Sequence, residues 1–215
     1  MIKVGIIGAN GFLGLELIRI LSLHPKVEIS KILKRDENID EEFTHLSSFN
    51  LNNLQTENIE DFMELDCVFL SLPHGSAKEY AKQLLGKVKI IDLSSDYRIT
   101  DEADYKKYYN SSFDSSIQTK FKYGFIEKNL DDIKLSNNIA NPGCFALTAQ
   151  LSLLPFNSII ENVSITAITG SSGGGKLPTN KNHHSTRSKD VFSYNINKHR
   201  HLAEIFQSYP NLIKN

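Results

Sequence analysis

The stretch IKVGIIGANGFLGLEL, residues 2–17, decides the fold. An apolar run from Ile2 to Ile7 is long enough for a buried strand. Gly8, Gly11 and Gly14 follow, and an amphipathic pattern then runs from Phe12 to Leu23. A strand, a glycine turn and a helix in that order place backbone N–H groups and the positive end of a helix dipole at one point. A dinucleotide's diphosphate binds at such a point. The spacing is Gly-x-x-Gly-x-x-Gly rather than Gly-x-Gly-x-x-Gly, so position at the chain start carries as much of the reading as the glycines do.

The pattern repeats outward from this stretch. Val27–Leu33, Asp66–Leu72 and Val88–Leu93 read as further strands, and Ser76–Leu85 reads as a helix between the last two. Strands alternating with helices predict parallel crossovers and an open α/β sheet. At the end of the second strand, where an NAD site carries an acidic residue for the ribose, stand Lys34 and Arg35. Two cations suit a 2′-phosphate and point to NADP, against the alternative of solvated loop charges.

The character changes near residue 140. Cys144–Leu154 reads as a helix and Val163–Thr169 as a strand, and a Gly-, Ser-, Asn- and His-rich segment then runs from Gly170 to about Lys189. Loops of that length in a compact domain are usually functional. The division expected is 1–140 and 141–215.

The 215 residues carry 24 Lys plus Arg against 25 Asp plus Glu, a net charge of -1. That balance gives no global field to draw nucleic acid or an anionic membrane. The longest uncharged stretch, 135–160, holds several Asn and two Pro and is no membrane span. With no basic, apolar leader at the N-terminus, the expected location is the cytoplasm. Two cysteines make no disulfide framework.

Cys67 lies in a strand and reads as a core residue. Cys144 follows Asn141-Pro142-Gly143 at the start of a helical run, where the dipole favours the nucleophilic thiolate. His183, His184, His199 and His201 are available downstream as proton-transfer partners. Their spacing matches no zinc-ligand pattern, so no metal is expected. GSSGGGK, residues 170–176, imitates a phosphate loop. Leu177 stands where a magnesium-binding hydroxyl belongs and Pro178 follows, so ATP and GTP are excluded. The loop's N–H groups can still face an oxyanion.

Several segments coincide in order: GANGFLGLEL (8–17), SLPHGSA (71–77), IDLSSDYR (91–98), YGFIE (123–127), NPGCFALTA (141–149), GSSGGGK (170–176) and YNINKHRHLAEI (194–205). On these segments the chain resembles the N-acetyl-γ-glutamyl-phosphate reductase family of the semialdehyde dehydrogenase superfamily. The resemblance implies a Rossmann-type dinucleotide-binding domain followed by an incomplete α+β catalytic and dimerisation domain. It implies NADPH-dependent reduction of N-acetylglutamyl 5-phosphate to the 5-semialdehyde through a Cys144 thioester, in arginine biosynthesis. His199, rather than His201, handles the protons. Cofactor contacts fall on Gly8, Asn10, Gly11, Phe12, Leu13, Gly14, Lys34, Arg35, Pro73, Ser172 and Gly173, and substrate contacts on Arg98, Asn141 and Arg200. For Arg98 a solvated loop charge is the equal alternative.

Family enzymes form oligomers and continue well past residue 215. That implies a fragment, a split gene product or a decaying enzyme, and an inactive nucleotide-binding module is one alternative. The stretch His183–Arg187 departs from the family pattern and is partly similar to relatives that act on carrier-linked aminoadipyl phosphate, a second alternative. Aspartyl phosphate is a third.

Overall fold

The computed structural model describes residues 1–34, 51–109 and 111–212. In chain order the elements are β1 (Ile2–Ile7), α1 (Phe12–Ser22), β2 (Val27–Leu33), β3 (Cys67–Leu70), α2 (Ala77–Leu84), β4 (Lys89–Asp92), α3 (Glu102–Tyr109) and α4 (Ser115–Gln118). They continue with β5 (Lys122–Tyr123), α5 (Ile126–Leu135), β6 (Asn138–Ala140), α6 (Cys144–Leu153), α7 (His184–Arg187) and α8 (His201–Ser208).

The six strands form one sheet in the order β2-β1-β3-β4-β6-β5, and every pairing is parallel. Alternating residues of the central strands face opposite layers, as a period of two requires. Ile6 packs with Ile18 of α1 and with Ile32. Ile7 packs with Val68, Leu70 and Ile90 and with Ala77, Ala81 and Leu84 of α2. Burial of successive residues Val4–Ile7 on both faces explains why β1 reads as a continuous apolar run, whereas in β3 and β4 buried positions alternate with less buried ones.

The chain leaves β1 for β2 on one side and reaches β3 on the other. The carboxyl ends of β1 and β3 therefore flank a topological switch point, where open α/β sheets bind ligands. The loops after β3, β4 and β6 open on the same edge.

Beyond β6, α8 is wedged between two neighbours. Ile205 packs with Ala149 and Leu153 of α6, and Ala203 packs with Tyr105 and Tyr109 of α3. This wedge carries His201 and Glu204 into the interior.

One sequence expectation fails here. Val163–Thr169 is not a strand: it pairs with no other strand among the described residues, and Val163, Ile165 and Ile168 are exposed. β-Branched residues favour a strand only where a neighbouring strand takes up their backbone groups, and none of the described residues supplies one beside them. The segment after it is also less irregular than expected. A 3-10 turn spans Ser171–Gly174, and α7 follows.

Candidate active site

Gly8 takes φ +86°, and a Cβ there would fall 2.2 Å from the Ser71 carbonyl oxygen, so only glycine lets β1 turn this close to β3. The Gly8 and Ala9 N–H groups donate to the Leu33 carbonyl, which ties the turn to the end of β2 and brings Lys34 beside it. Arg35 lies outside the described residues. Gly11 is the N-cap of α1 and no side chain caps that end. Asn10 and Gly14 are buried, whereas Phe12 and Leu13 lie half exposed in the first turn. This turn fits a dinucleotide: it leads into the positive end of a helix whose N-cap makes no side-chain hydrogen bond. Pro73 is exposed across the switch point, just past β3.

Cys144 is the first residue of α6 and is exposed. Asn141 precedes it at the end of β6, its N–H held by the Asp92 carbonyl at 2.7 Å. Gly143 is the N-cap, and its N–H donates to Glu204 Oε2 at 2.8 Å. A Cβ on Gly143 would fall 2.4 Å from His201 Nε2 and 2.7 Å from Arg98 Nη1, so the missing side chain is what lets both groups approach the cysteine's turn.

The histidines divide by environment. His201 is buried, and burial, with the Arg98 guanidinium as the next cause, pushes its imidazolium down to about 3, so the ring is neutral. His199 is less buried, and burial followed by the charge of Arg200 holds it below the ordinary histidine value. Its ring meets Phe145 edge-on at 5.3 Å, His201 at 4.6 Å and Tyr194 at 5.6 Å, centroid to centroid. The Tyr194 hydroxyl lies 3.5 Å from His199 Nε2, at the outer limit of a hydrogen bond. Asn195 and Asn197, both at positive φ, build the turn that folds Tyr194 back onto His199.

Arg98 is 7% exposed, which removes the alternative of a solvated loop charge. Its Nη1 donates to Glu204 Oε1 at 3.3 Å and its Nη2 to the Leu93 carbonyl at 2.9 Å. Glu204 also accepts from the Tyr123 hydroxyl at 2.8 Å, and Gln150 donates to the Glu204 carbonyl at 3.0 Å. The buried carboxylate is thus joined to β5, α6 and the loop after β4. Arg200 is the exposed N-cap of α8.

Ser172 and Gly173 are exposed in the 3-10 turn, and the same loop reaches the glycine turn through Lys176, whose Nζ donates to the Asn10 carbonyl at 3.1 Å. Among the described residues no group of three His, Cys, Asp or Glu side chains is placed to hold a metal ion, and no helix is long and apolar enough to cross a membrane.

Sequence reasoning did not single out Glu204, Tyr194, Lys176 or the pairing of His74 Nδ1 with Asp96 Oδ1 at 2.7 Å. Glu204 was within reach, because it follows His201 by three residues on a helix and so shares its face. The His74–Asp96 pair joins two loops 22 positions apart, and no local pattern announces it.

The family model described as "Semialdehyde dehydrogenase, NAD binding domain" matches residues 3–136, and "Semialdehyde dehydrogenase, dimerisation domain" matches 144–215. The N-acetyl-gamma-glutamyl-phosphate reductase of Karelsulcia muelleri is 38% identical, over 99% of this chain and 63% of that protein. A putative [LysW]-L-2-aminoadipate/[LysW]-L-glutamate phosphate reductase of Pyrococcus furiosus is 36% identical, over 96% and 62%. Aspartate semialdehyde dehydrogenase II of Vibrio cholerae shares the fold, with a TM-score of 0.55 at 16% identity, over 97% of this chain and 63% of that one. The chain thus spans less than two thirds of the length of the proteins it matches.

Proposed function

Because the chain belongs to the semialdehyde dehydrogenase family, we propose that it carries the dinucleotide site and the nucleophile of an NADPH-dependent N-acetylglutamyl-phosphate reductase. The observation that carries this reading is the exposed Cys144 at the first position of α6, on the same sheet edge as the Gly8 turn. The reading divides the chain at about residue 140, with the cofactor site before and the nucleophile after. A homo-oligomer and a cytoplasmic location belong to the same proposal.

In this mechanism the Cys144 sulfur attacks the acyl carbon, the bond to the phosphate oxygen breaks, and phosphate leaves with the electron pair. The positive end of α6 stabilises negative charge on the sulfur as thiolate. The bound dinucleotide supplies the hydride that reduces the resulting thioester. His199 holds the former carbonyl oxygen through an Nε2–H hydrogen bond as negative charge builds on it; that oxygen's electron pair then re-forms the C=O bond as the C–S bond breaks, and Cys144 departs as thiolate. The Gly8 turn and the first turn of α1 hold the diphosphate. Lys34 and Arg35 supply positive charge for a 2′-phosphate. Asn141, Arg98 and Arg200 border the space for the acyl phosphate.

The test is phosphate-dependent reduction of NADP⁺ by the purified chain, with N-acetylglutamate 5-semialdehyde and with Cys144→Ser as control. Activity that disappears in the variant supports the thioester route. A folded chain that binds NADPH and turns nothing over points instead to a nucleotide-binding part that needs further chain. The likeness to the Pyrococcus protein favours one second substrate, a carrier-linked aminoadipyl phosphate, and turnover of that compound alone would select it.

A further inference from the structure

We propose that Asp96 is a positioning residue for the nicotinamide half of the dinucleotide, acting through the loop after β3, residues 73–76; this rests on the cofactor reading above.

The strand order supplies the frame. The carboxyl ends of β2, β1, β3, β4 and β6 lie in a row, so Lys34, the Gly8 turn, the 73–76 loop, the 93–98 loop and the turn at Cys144 follow one another along one edge of the sheet. A dinucleotide with its 2′-phosphate toward Lys34 and its diphosphate at the Gly8 turn extends its other half over the 73–76 loop, in the direction of Cys144. That loop is open on its outer side. Pro73, Gly75 and Ser76 are exposed, and a Cβ on Gly75 would meet no atom within 4 Å.

Behind the open side stands the fully buried carboxylate of Asp96. Its Oδ1 accepts from the Gly75 N–H at 2.6 Å and its Oδ2 from the Ala77 N–H at 3.1 Å. His74 Nδ1 lies 2.7 Å from Oδ1, and since a carboxylate can only accept, Nδ1 is the donor. Donors from residues 74, 75 and 77 thus converge on one side chain. The Ala77 bond serves the start of α2, and the other two fix the loop ahead of it. Asp96 is itself held, because its N–H donates to Ser94 Oγ at 3.1 Å and Ser94 Oγ donates to Asp92 Oδ2 at 2.8 Å. Two residues further on, Arg98 reaches Glu204, which holds the Gly143 N–H beside Cys144. One short loop therefore fixes the dinucleotide's loop with Asp96 and the cysteine's turn with Arg98. The separation of the nicotinamide from Cys144 is set there.

The experiment is titration of the purified chain with NADPH and with adenosine 2′,5′-bisphosphate, which carries the adenine half alone. Wild type is compared with Asp96→Ala, Asp96→Asn and Asp114→Ala. The last removes the side-chain cap of α4 and controls for a lost capping carboxylate away from the switch point. Asp96→Ala should bind NADPH about tenfold more weakly, the scale of one charge-assisted hydrogen bond, and the bisphosphate within about twofold of wild type. Asp96→Asn keeps an acceptor for one N–H and should fall between. Asp114→Ala should match wild type with both probes. Unchanged NADPH affinity in Asp96→Ala overturns the proposal, and so does equal weakening of both probes, the mark of a merely structural carboxylate. Either result leaves the cofactor reading standing. Wild type that binds NADPH no more tightly than the bisphosphate also overturns it, since the nicotinamide half then has no contact to position. If Asp96→Ala does not fold, Asp96→Asn is judged by the same criteria. Wild-type protein that binds neither probe removes the cofactor reading, and this assignment with it.

Discussion

The backbone N–H of His201 donates to Nδ1 of His199 across 3.2 Å. A backbone amide can only donate, so Nδ1 must present its lone pair, and the neutral ring carries its proton on Nε2. Protonating Nδ1 would set two donors against each other, which agrees with the lowered proton affinity of His199. In this arrangement His199 offers a hydrogen bond from Nε2–H and does not accept one there. Two-bond ¹H–¹⁵N correlation spectra at neutral pH should show His199 as the Nε2–H tautomer. An Nδ1–H tautomer would remove the donor role assigned to it.

Glu204 is fully buried and holds Arg98, Tyr123 and the Gly143 N–H at once. Glu204→Ala leaves Arg98 buried without its carboxylate, which costs about 3–5 kcal/mol. Glu204→Gln retains an acceptor and should lose less. Urea unfolding of both variants measures the order. Equal stability in wild type and Glu204→Ala would show that the network is not structural.

Two buried groups pull the pH dependence of stability in opposite directions. Burial raises Asp92 to about 7, so the folded chain holds a proton there that the unfolded chain releases, and stability falls between about pH 4 and 7. His201, held down at about 3, refuses a proton that the unfolded chain takes, so stability rises between about pH 3 and 6.5. Asp92→Asn should therefore leave a curve that climbs from pH 4 to 6.5, and His201→Gln one that falls over the same range. Thermal melting at half-unit pH steps distinguishes them, and parallel curves for the two variants would refute both assignments.

The two thiols should differ in reactivity. Cys144 is exposed, whereas Cys67 is partly buried in β3 and burial pushes its thiol up to about 11. Iodoacetamide at pH 7.5 should label Cys144 first, by at least tenfold, as read by peptide mass spectrometry. Comparable labelling of both would contradict the placement of Cys67.

The parallel sheet was legible because β1 is buried on both faces, and because β3 and β4 keep apolar residues such as Phe69 and Ile91 even at their partly buried positions. The Gly8 turn was legible because a positive φ against β3 leaves glycine no substitute. Val163–Thr169 misled because its composition reports a preference for pairing and not the presence of a partner. The Lys176–Asn10 contact and the Arg98–Glu204 pair were hidden for a different reason. Each joins residues more than a hundred positions apart, and only the packing of α8 and of the Gly170 loop brings them together. Arg98 itself was visible as a cation, but its burial was not.

The central claim is that Cys144 takes the acyl group from phosphate. The most direct measurement is intact-protein and peptide mass spectrometry after brief exposure to freshly prepared N-acetylglutamyl 5-phosphate without dinucleotide. An N-acetylglutamyl adduct on Cys144, released by hydroxylamine and missing from Cys144→Ser, is the predicted result. An unmodified Cys144 in folded protein, or equal acylation of Cys144→Ser, would contradict the account.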